Sequence, residues 1–185
     1  MKKVKPWPDA SRERALREKG FDTIVGIDEV GKGSWAGPLV IGIAMLGDDV
    51  IFSDDPAVAL GGVRDSKQLL EAKREAMFDE VAAKCFKWST GLATAIECDV
   101  LGMVAAQRLA TSRGIAALGL NVDAAIDAAI DVAIVDGRWD FVSPHARKVV
   151  LDVIDDVGWV FLSAVSVLEK VPRYRIIRES ENVFP

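Results

Sequence analysis

Two apolar runs separated by a glycine-rich stretch dominate the first quarter of the chain. Residues 23–30 are rich in β-branched and apolar side chains and close on Gly31, which predicts a strand. Residues 38–46 are almost wholly apolar and predict a second strand, buried on both faces. Between them, Gly31-Lys32-Gly33-Ser34-Trp35-Ala36-Gly37 forms a loop. Its glycines permit positive φ and close approach of the backbone to a ligand. The two strands are expected to pair antiparallel.

Further along, the period of the apolar positions changes. Residues 71–84 are helix formers throughout, with Ala72, Ala76, Met77 and Val81 at helical spacing. Residues 86–94 alternate and predict a third strand. Residues 96–118 predict one long helix with an apolar stripe of Ile96, Val100, Met103, Val104 and Ala110, weakened by Gly114. Residues 131–136 read as a short buried strand ending at the turn signal Asp136-Gly137. Another strand is expected over 147–154, and a last helix over 162–178 that Pro172 kinks or restarts. Strands first, then strands alternating with helices, imply an α/β protein with helices packed on a mixed sheet. No repeat or flexible linker divides the chain. The expected organisation is a basic N-terminal extension over 1–22 and one domain over 23–180.

Composition narrows the chemistry. With 185 residues, half of them hydrophobic, the chain can bury a core of ordinary size. Its apolar runs are shorter than the roughly 20 residues needed to span a bilayer. Pro6, Trp7, Pro8 and Asp9 interrupt any secretory signal, so a soluble, cytoplasmic protein with no membrane partner is expected. Cys85 and Cys98 form no CxxC pair, which disfavours a disulfide framework or a zinc site. His145 is the single histidine, so imidazole-based metal centres and Ser–His–Asp triads are nearly excluded, and it is expected to be an ordinary loop residue. Catalysis would have to come from carboxylates, Lys, Arg, Ser or Tyr174. The net charge of −5 taken alone argues against a nucleic-acid partner. Basic residues nevertheless gather at both ends: Lys2, Lys3, Lys5, Arg12, Arg14, Arg17 and Lys19 in one run, Lys170, Arg173, Arg175 and Arg178 in the other. Solvated helix faces account for either run equally well.

Four acids stand out by placement. Asp28 and Glu29 lie near the end of the first strand, Asp136 ends a second buried strand, and Asp156 follows a third. Carboxylates at the ends of apolar strands are costly to desolvate without compensation, and divalent cations compensate well. Oxygen-only ligands favour Mg²⁺ or Mn²⁺. Each acid taken singly also has an ordinary explanation. Neighbours in a strand point to opposite faces, so one of Asp28 and Glu29 would face solvent. Asp-Gly is a common turn dipeptide. Asp152 and Asp155 lie close to Asp156, and any of the three could be a solvated loop residue.

The order of blocks along the chain carries more. Gly26-Ile27-Asp28-Glu29-Val30-Gly31-Lys32-Gly33 followed by Ala36-Gly37-Pro38-Leu39-Val40 resembles the opening signature of the type 2 ribonucleases H. Asp65-Ser66-Lys67-Gln68-Leu69, Ile134-Val135-Asp136-Gly137 and the stretch from Leu162 to Val171 are similar to that family's later blocks, and 96–118 to its central helix. The resemblance covers about residues 23–178, and four blocks in order are far more specific than one. It implies a ribonuclease H-like mixed sheet flanked by helices. It also implies an endonuclease that cuts the RNA strand of RNA–DNA hybrids, or ribonucleotides embedded in DNA, leaving 5′-phosphate and 3′-hydroxyl ends. Asp28, Glu29, Asp136 and Asp156 would hold two metal ions, Mg²⁺ or Mn²⁺, one activating water and the other stabilising the leaving oxygen. Gly31, Lys32 and Gly33 would approach the ribonucleotide, whose 2′-hydroxyl tells RNA from DNA. Ser66 and Lys67 would contact phosphate, although Asp65 or Ser66 could equally cap the following helix.

Departures from the family pattern accompany the match. Lys32 replaces an arginine, which removes bidentate side-chain contact. The usual C-terminal segment with its stacking tyrosine is expected to be missing, and Tyr174 is not assigned that role. Asp155 stands where a basic residue is usual. The expectation is a compact, divergent, monomeric member whose basic ends compensate for weaker phosphate contacts. The alternatives are a catalytically weakened nucleic-acid-binding module and a DNA nuclease on the same fold.

Overall fold

The computed structural model describes residues 9–34, 36–63, 69–120, 130–152 and 159–183. Helix α1 (Ser11–Glu18) leads into strands β1 (Ile24–Val30) and β2 (Leu39–Leu46), then the single-turn helices α2 (Asp48–Ile51) and α3 (Pro56–Ala59). Next come α4 (Glu71–Lys84), β3 (Cys85–Ala93), α5 (Ala95–Leu101), α6 (Met103–Leu118), β4 (Ile130–Asp136), β5 (Ala146–Asp152) and α7 (Val160–Val183). The sheet order is β3-β2-β1-β4-β5. β1, β2 and β3 pair antiparallel, as expected for the first two, whereas β1, β4 and β5 run parallel. The sheet is therefore mixed, with β1 at the junction of its two halves.

Strand alternation sorts the core into two layers. Ile24 of β1, Ala44 and Leu46 of β2, and Val132 and Ile134 of β4 pack with α7, α4 and α1. Val25, Ile27, Ile41, Ile43, Ala133 and Val135 pack on the other side with Ala106, Ala110, Ile115 and Leu118 of α6. Helix cover on both faces is why β2 is buried at every position, as its unbroken apolar run predicts. Helix α7 lies very close to the sheet. A Cβ added at Gly42 would stand 2.9 Å from the Glu169 Cβ, so the absent side chain makes room for that glutamate.

Three expectations are corrected. The single helix over 96–118 is two helices, broken at Gly102, whose φ of +77° other residues rarely adopt. The stripe read from its largest apolar residues is also the wrong face: Ile96, Val100 and Val104 are 74, 77 and 56% exposed. The buried face is built of small residues because backbone meets backbone there. A Cβ at Gly91 of β3 would fall 1.9 Å from the Ala110 carbonyl oxygen. Third, Pro172 does not restart the last helix, which is continuous from Val160 to Val183. The hydrogen bond that its missing N–H cannot make is offset by burial of Leu162, Val165, Leu168 and Val171. The strand expected over 147–154 spans Ala146–Asp152, and residues 153 and 154 lie outside the described residues. Cys85 and Cys98 are both free thiols. Among the described residues no helix is long and apolar enough to cross a membrane.

Candidate active site

Parallel pairing of β1 with β4 aligns Ile27 with Val135. One residue further on, Asp28 and Asp136 stand side by side at the C-terminal ends of adjacent strands, and the alternation turns both toward the α7 face. Asp28 is buried. Its Oδ1 accepts from its neighbour's backbone, Glu29 N, at 2.8 Å, and its Oδ2 lies 3.9 Å from Lys170 Nζ on α7. Burial raises the Asp28 carboxyl above the ordinary range; Lys170 opposes that rise and Asp136 adds to it.

Glu169, the residue before Lys170, is fully out of solvent. It accepts from Lys170 Nζ at 2.7 Å. Burial, reinforced by the Asp28 charge, pushes its carboxyl well above the usual value. Two carboxylates and one ammonium thus share a dry pocket, where burial disfavours the charged form of both acids and Lys170 opposes that effect. In the sequence Glu169 had no role beyond its place in a motif. The signal that could have found it is an acid directly after the otherwise apolar stretch from Leu162 to Leu168.

Glu29 points to the other face of β1, as strand alternation requires. Lys32 Nζ donates to its Oε1 at 3.3 Å, while Oε2 is buried without a hydrogen-bond partner. Burial raises this carboxyl, Lys32 opposes the rise, and the charges of Asp28 and Asp136 add to it. Lys32 also stands 5.9 Å from the centroid of the Trp139 ring. In the adjoining loop Gly31 has a φ of +103°, and a Cβ there would meet Pro38 O at 2.7 Å and Arg173 Nε at 2.8 Å. Arg173, in the sequence one member of a basic run and here a buried cation, donates to Pro38 O at 3.0 Å and Ala36 O at 2.9 Å, tying the loop to α7. Gly33 has no positive φ, and a Cβ added there would meet no atom of the described residues within 4 Å.

Asp156, Ser66 and Lys67 lie outside the described residues. Of the three clustered acids near the end of β5, Asp152 is engaged elsewhere: its Oδ2 accepts from Trp159 Nε1 at 2.7 Å and pairs with Arg12. Four arginines of the basic runs are likewise bound to the body of the molecule. Arg14 donates to the carbonyls of Ile51 and Ser53, Arg17 pairs with Asp48, Arg175 with Glu75 and Arg178 with Glu71. His145 contacts Ser112 Oγ at 2.9 Å.

The donor set suits a hard divalent cation. It consists of carboxylate oxygens, and the buried Glu29 Oε2 has lone pairs that no donor satisfies. Among the described residues no three acidic, His or Cys side chains converge on one point.

The fold and these acids define a class. Over 87% of this chain and 76% of its own, the crystal structure of the ribonuclease H2 from Pyrococcus horikoshii superposes with a TM-score of 0.66 at 25% identity. The protein is a ribonuclease H-type, metal-dependent nuclease. A family model described as Ribonuclease HII matches residues 25–183. The Ribonuclease HII of Roseiflexus castenholzii is 36% identical over 170 residues, 92% of this chain and 70% of the relative. That of Chloroflexus aurantiacus is 33% identical over 178 residues, 96% of this chain and 78% of the relative. The chain belongs to the ribonuclease HII family, endonucleases that act on the RNA of RNA–DNA hybrids.

Proposed function

We propose that the chain hydrolyses the RNA strand of hybrids, and ribonucleotides embedded in DNA, through a centre made by Asp28, Glu29, Asp136 and Asp156, leaving 5′-phosphate and 3′-hydroxyl ends. The observation that carries this reading is the register that sets Asp28 beside Asp136 at the ends of two parallel strands. Bound Mg²⁺ or Mn²⁺, two ions in this scheme, would supply an activated water and stabilise charge on the leaving oxygen. The protein's own part is to hold Asp28 and Asp136 side by side on adjacent strands, with Lys170 opposing the negative charge around Asp28. The backbone of Gly31, Lys32 and Gly33 would meet the ribose, where a 2′-hydroxyl contact selects RNA. Ser66 and Lys67 would hold a flanking phosphate.

In this reading residues 23–180 form the catalytic domain, residues 1–22 a basic N-terminal extension, and the enzyme works as a cytoplasmic monomer. A duplex with one ribonucleotide, one with a run of them, and plain DNA, each incubated with Mg²⁺ or Mn²⁺, test the proposal. Nicking only at ribonucleotides, lost by about a hundredfold or more in Asp28→Asn and Asp136→Asn, is the expected result. Tight binding without nicking would instead indicate a recognition module, and cutting of plain DNA a different nuclease.

A further inference from the structure

The loop that follows Asp136 brings an indole to the acids' end of the sheet. Trp139 is half-buried, its ring tilted against Phe141 with the centroids 5.6 Å apart. Two cations from different elements stand at this one ring. Lys32 Nζ of the glycine loop lies 5.9 Å from its centroid, and the Arg108 guanidinium of α6 lies at the same distance. Lys32 also donates to Glu29 Oε1 at 3.3 Å, so a single side chain separates the indole from an acid of the proposed centre.

Arg108 differs from the other arginines on the helices. Those are bound to acids or carbonyls of the protein. Arg113, on the same helix, pairs with Glu97 at 2.7 Å and donates to Leu92 O at 2.9 Å. Arg108 is exposed, and among the described residues neither a carboxylate within 4 Å nor a carbonyl takes its N–H groups. Its charge reaches Asp140, but the oxygens of that acid already accept from Val142 N, Ser143 N and Ser143 Oγ. An aromatic face steadies an exposed cation by about 0.5–1 kcal/mol and leaves its donors open to a further partner. Lys32 and Arg108 repel each other at the shared ring, and an anion beside both removes that repulsion. A guanidinium offers a fork of donors that fits two oxygens of one phosphate.

We propose that Arg108 and Trp139 extend the substrate site on the α6 side: Arg108 takes a backbone phosphate of the hybrid, and Trp139 holds the guanidinium beside Lys32 to receive it. The inference rests on Glu29 and Asp136 belonging to the catalytic centre. Contacts to phosphate position a duplex without reading its bases, so the grip serves every hybrid alike.

Anisotropy of a labelled RNA–DNA hybrid in EDTA, titrated at salt concentrations from about 50 to 200 mM, tests the grip beside steady-state cleavage with Mg²⁺. Arg108→Ala should weaken binding by about tenfold and make the slope of log affinity against log salt shallower by about 1. In cleavage, KM should rise by about tenfold with kcat within about twofold. Arg108→Lys should keep the slope. Trp139→Leu should lose affinity as Arg108→Ala does, and Trp139→Phe, which keeps an aromatic face, should recover most of it. Arg108 is exposed on α6, so its variants test the grip even where a Trp139 variant does not fold. Arg113→Ala removes a cation that Glu97 already neutralises and should leave the slope within about 0.3 of the wild type. Unchanged slope and KM in Arg108→Ala would overturn the proposal, as would an equal change in Arg113→Ala. A loss confined to duplexes with a single ribonucleotide would also overturn it, since the contact would then be to the ribose. Asp136→Asn cleaving at the wild-type rate would overturn the centre itself, and the salt slope of Arg108→Ala would still decide the phosphate contact.

Discussion

Glu13 is a carboxylate sealed from solvent, with Phe161 N as its hydrogen-bond donor and its second oxygen partnerless. Burial pushes its pKa up to about 7, from an ordinary value of 4.5. The folded protein therefore binds a proton that the unfolded chain has released, and stability falls as pH rises from about 4.5 through 7. Two and a half pH units correspond to about 3 kcal/mol at most. Glu13→Gln keeps the carbonyl acceptor and removes the charge. Urea denaturation should find the variant more stable than the wild type by about 2 kcal/mol at pH 8, and equal to it at pH 4. A difference that does not change with pH would show that Glu13 does not titrate in this range. Asp28, Glu29 and Asp136 were legible as candidates because acids at apolar strand ends are anomalous. Glu13, Glu169 and Arg173 were not, because their burial depends on what packs over them, and charged helical residues usually face water.

The two helices in place of one show where hydropathy misleads at the level of the element. Strong apolar residues at 96, 100 and 104 outweigh alanines and a glycine on any scale, yet α6 turns its small residues to the sheet. The reason is distance: with Gly91 and Gly114 facing each other, backbone approaches backbone and large side chains do not fit. Gly91→Ala should destabilise the protein by roughly 3 kcal/mol, seen as a lower urea midpoint with an unchanged slope. Gly33→Ala, which meets no atom of the described residues within 4 Å, is the control and should change stability by less than about 0.5 kcal/mol. Equal midpoints for the two variants would rule out tight contact between α6 and β3. The extents of β1, β2 and α4, by contrast, were readable nearly to the residue, because a glycine, a proline or a change of apolar period marks their ends.

At the scale of the whole molecule, Asp28 and Asp136 come from different strands and repel each other, a cost that a cation bound beside them would remove. Adding Mg²⁺ or Mn²⁺ at a hundred times its Kd should stabilise the protein by about 2.7 kcal/mol. For a chain of this size that is a rise in Tm of roughly 5–10 °C. Asp28→Asn and Asp136→Asn should abolish the rise while raising the Tm of the metal-free protein, and a full metal response in either variant would exclude that acid from the centre. The sequence by itself determined the α/β class, the main strands and the family, since apolar period, turn residues and ordered motifs are local properties. Only the tertiary structure decided that Asp28 stands beside Asp136, that Lys170 and Glu169 share its pocket, and that the terminal arginines turn back onto the protein. Strand register and helix packing join residues more than a hundred positions apart, and no local pattern encodes which of them will touch.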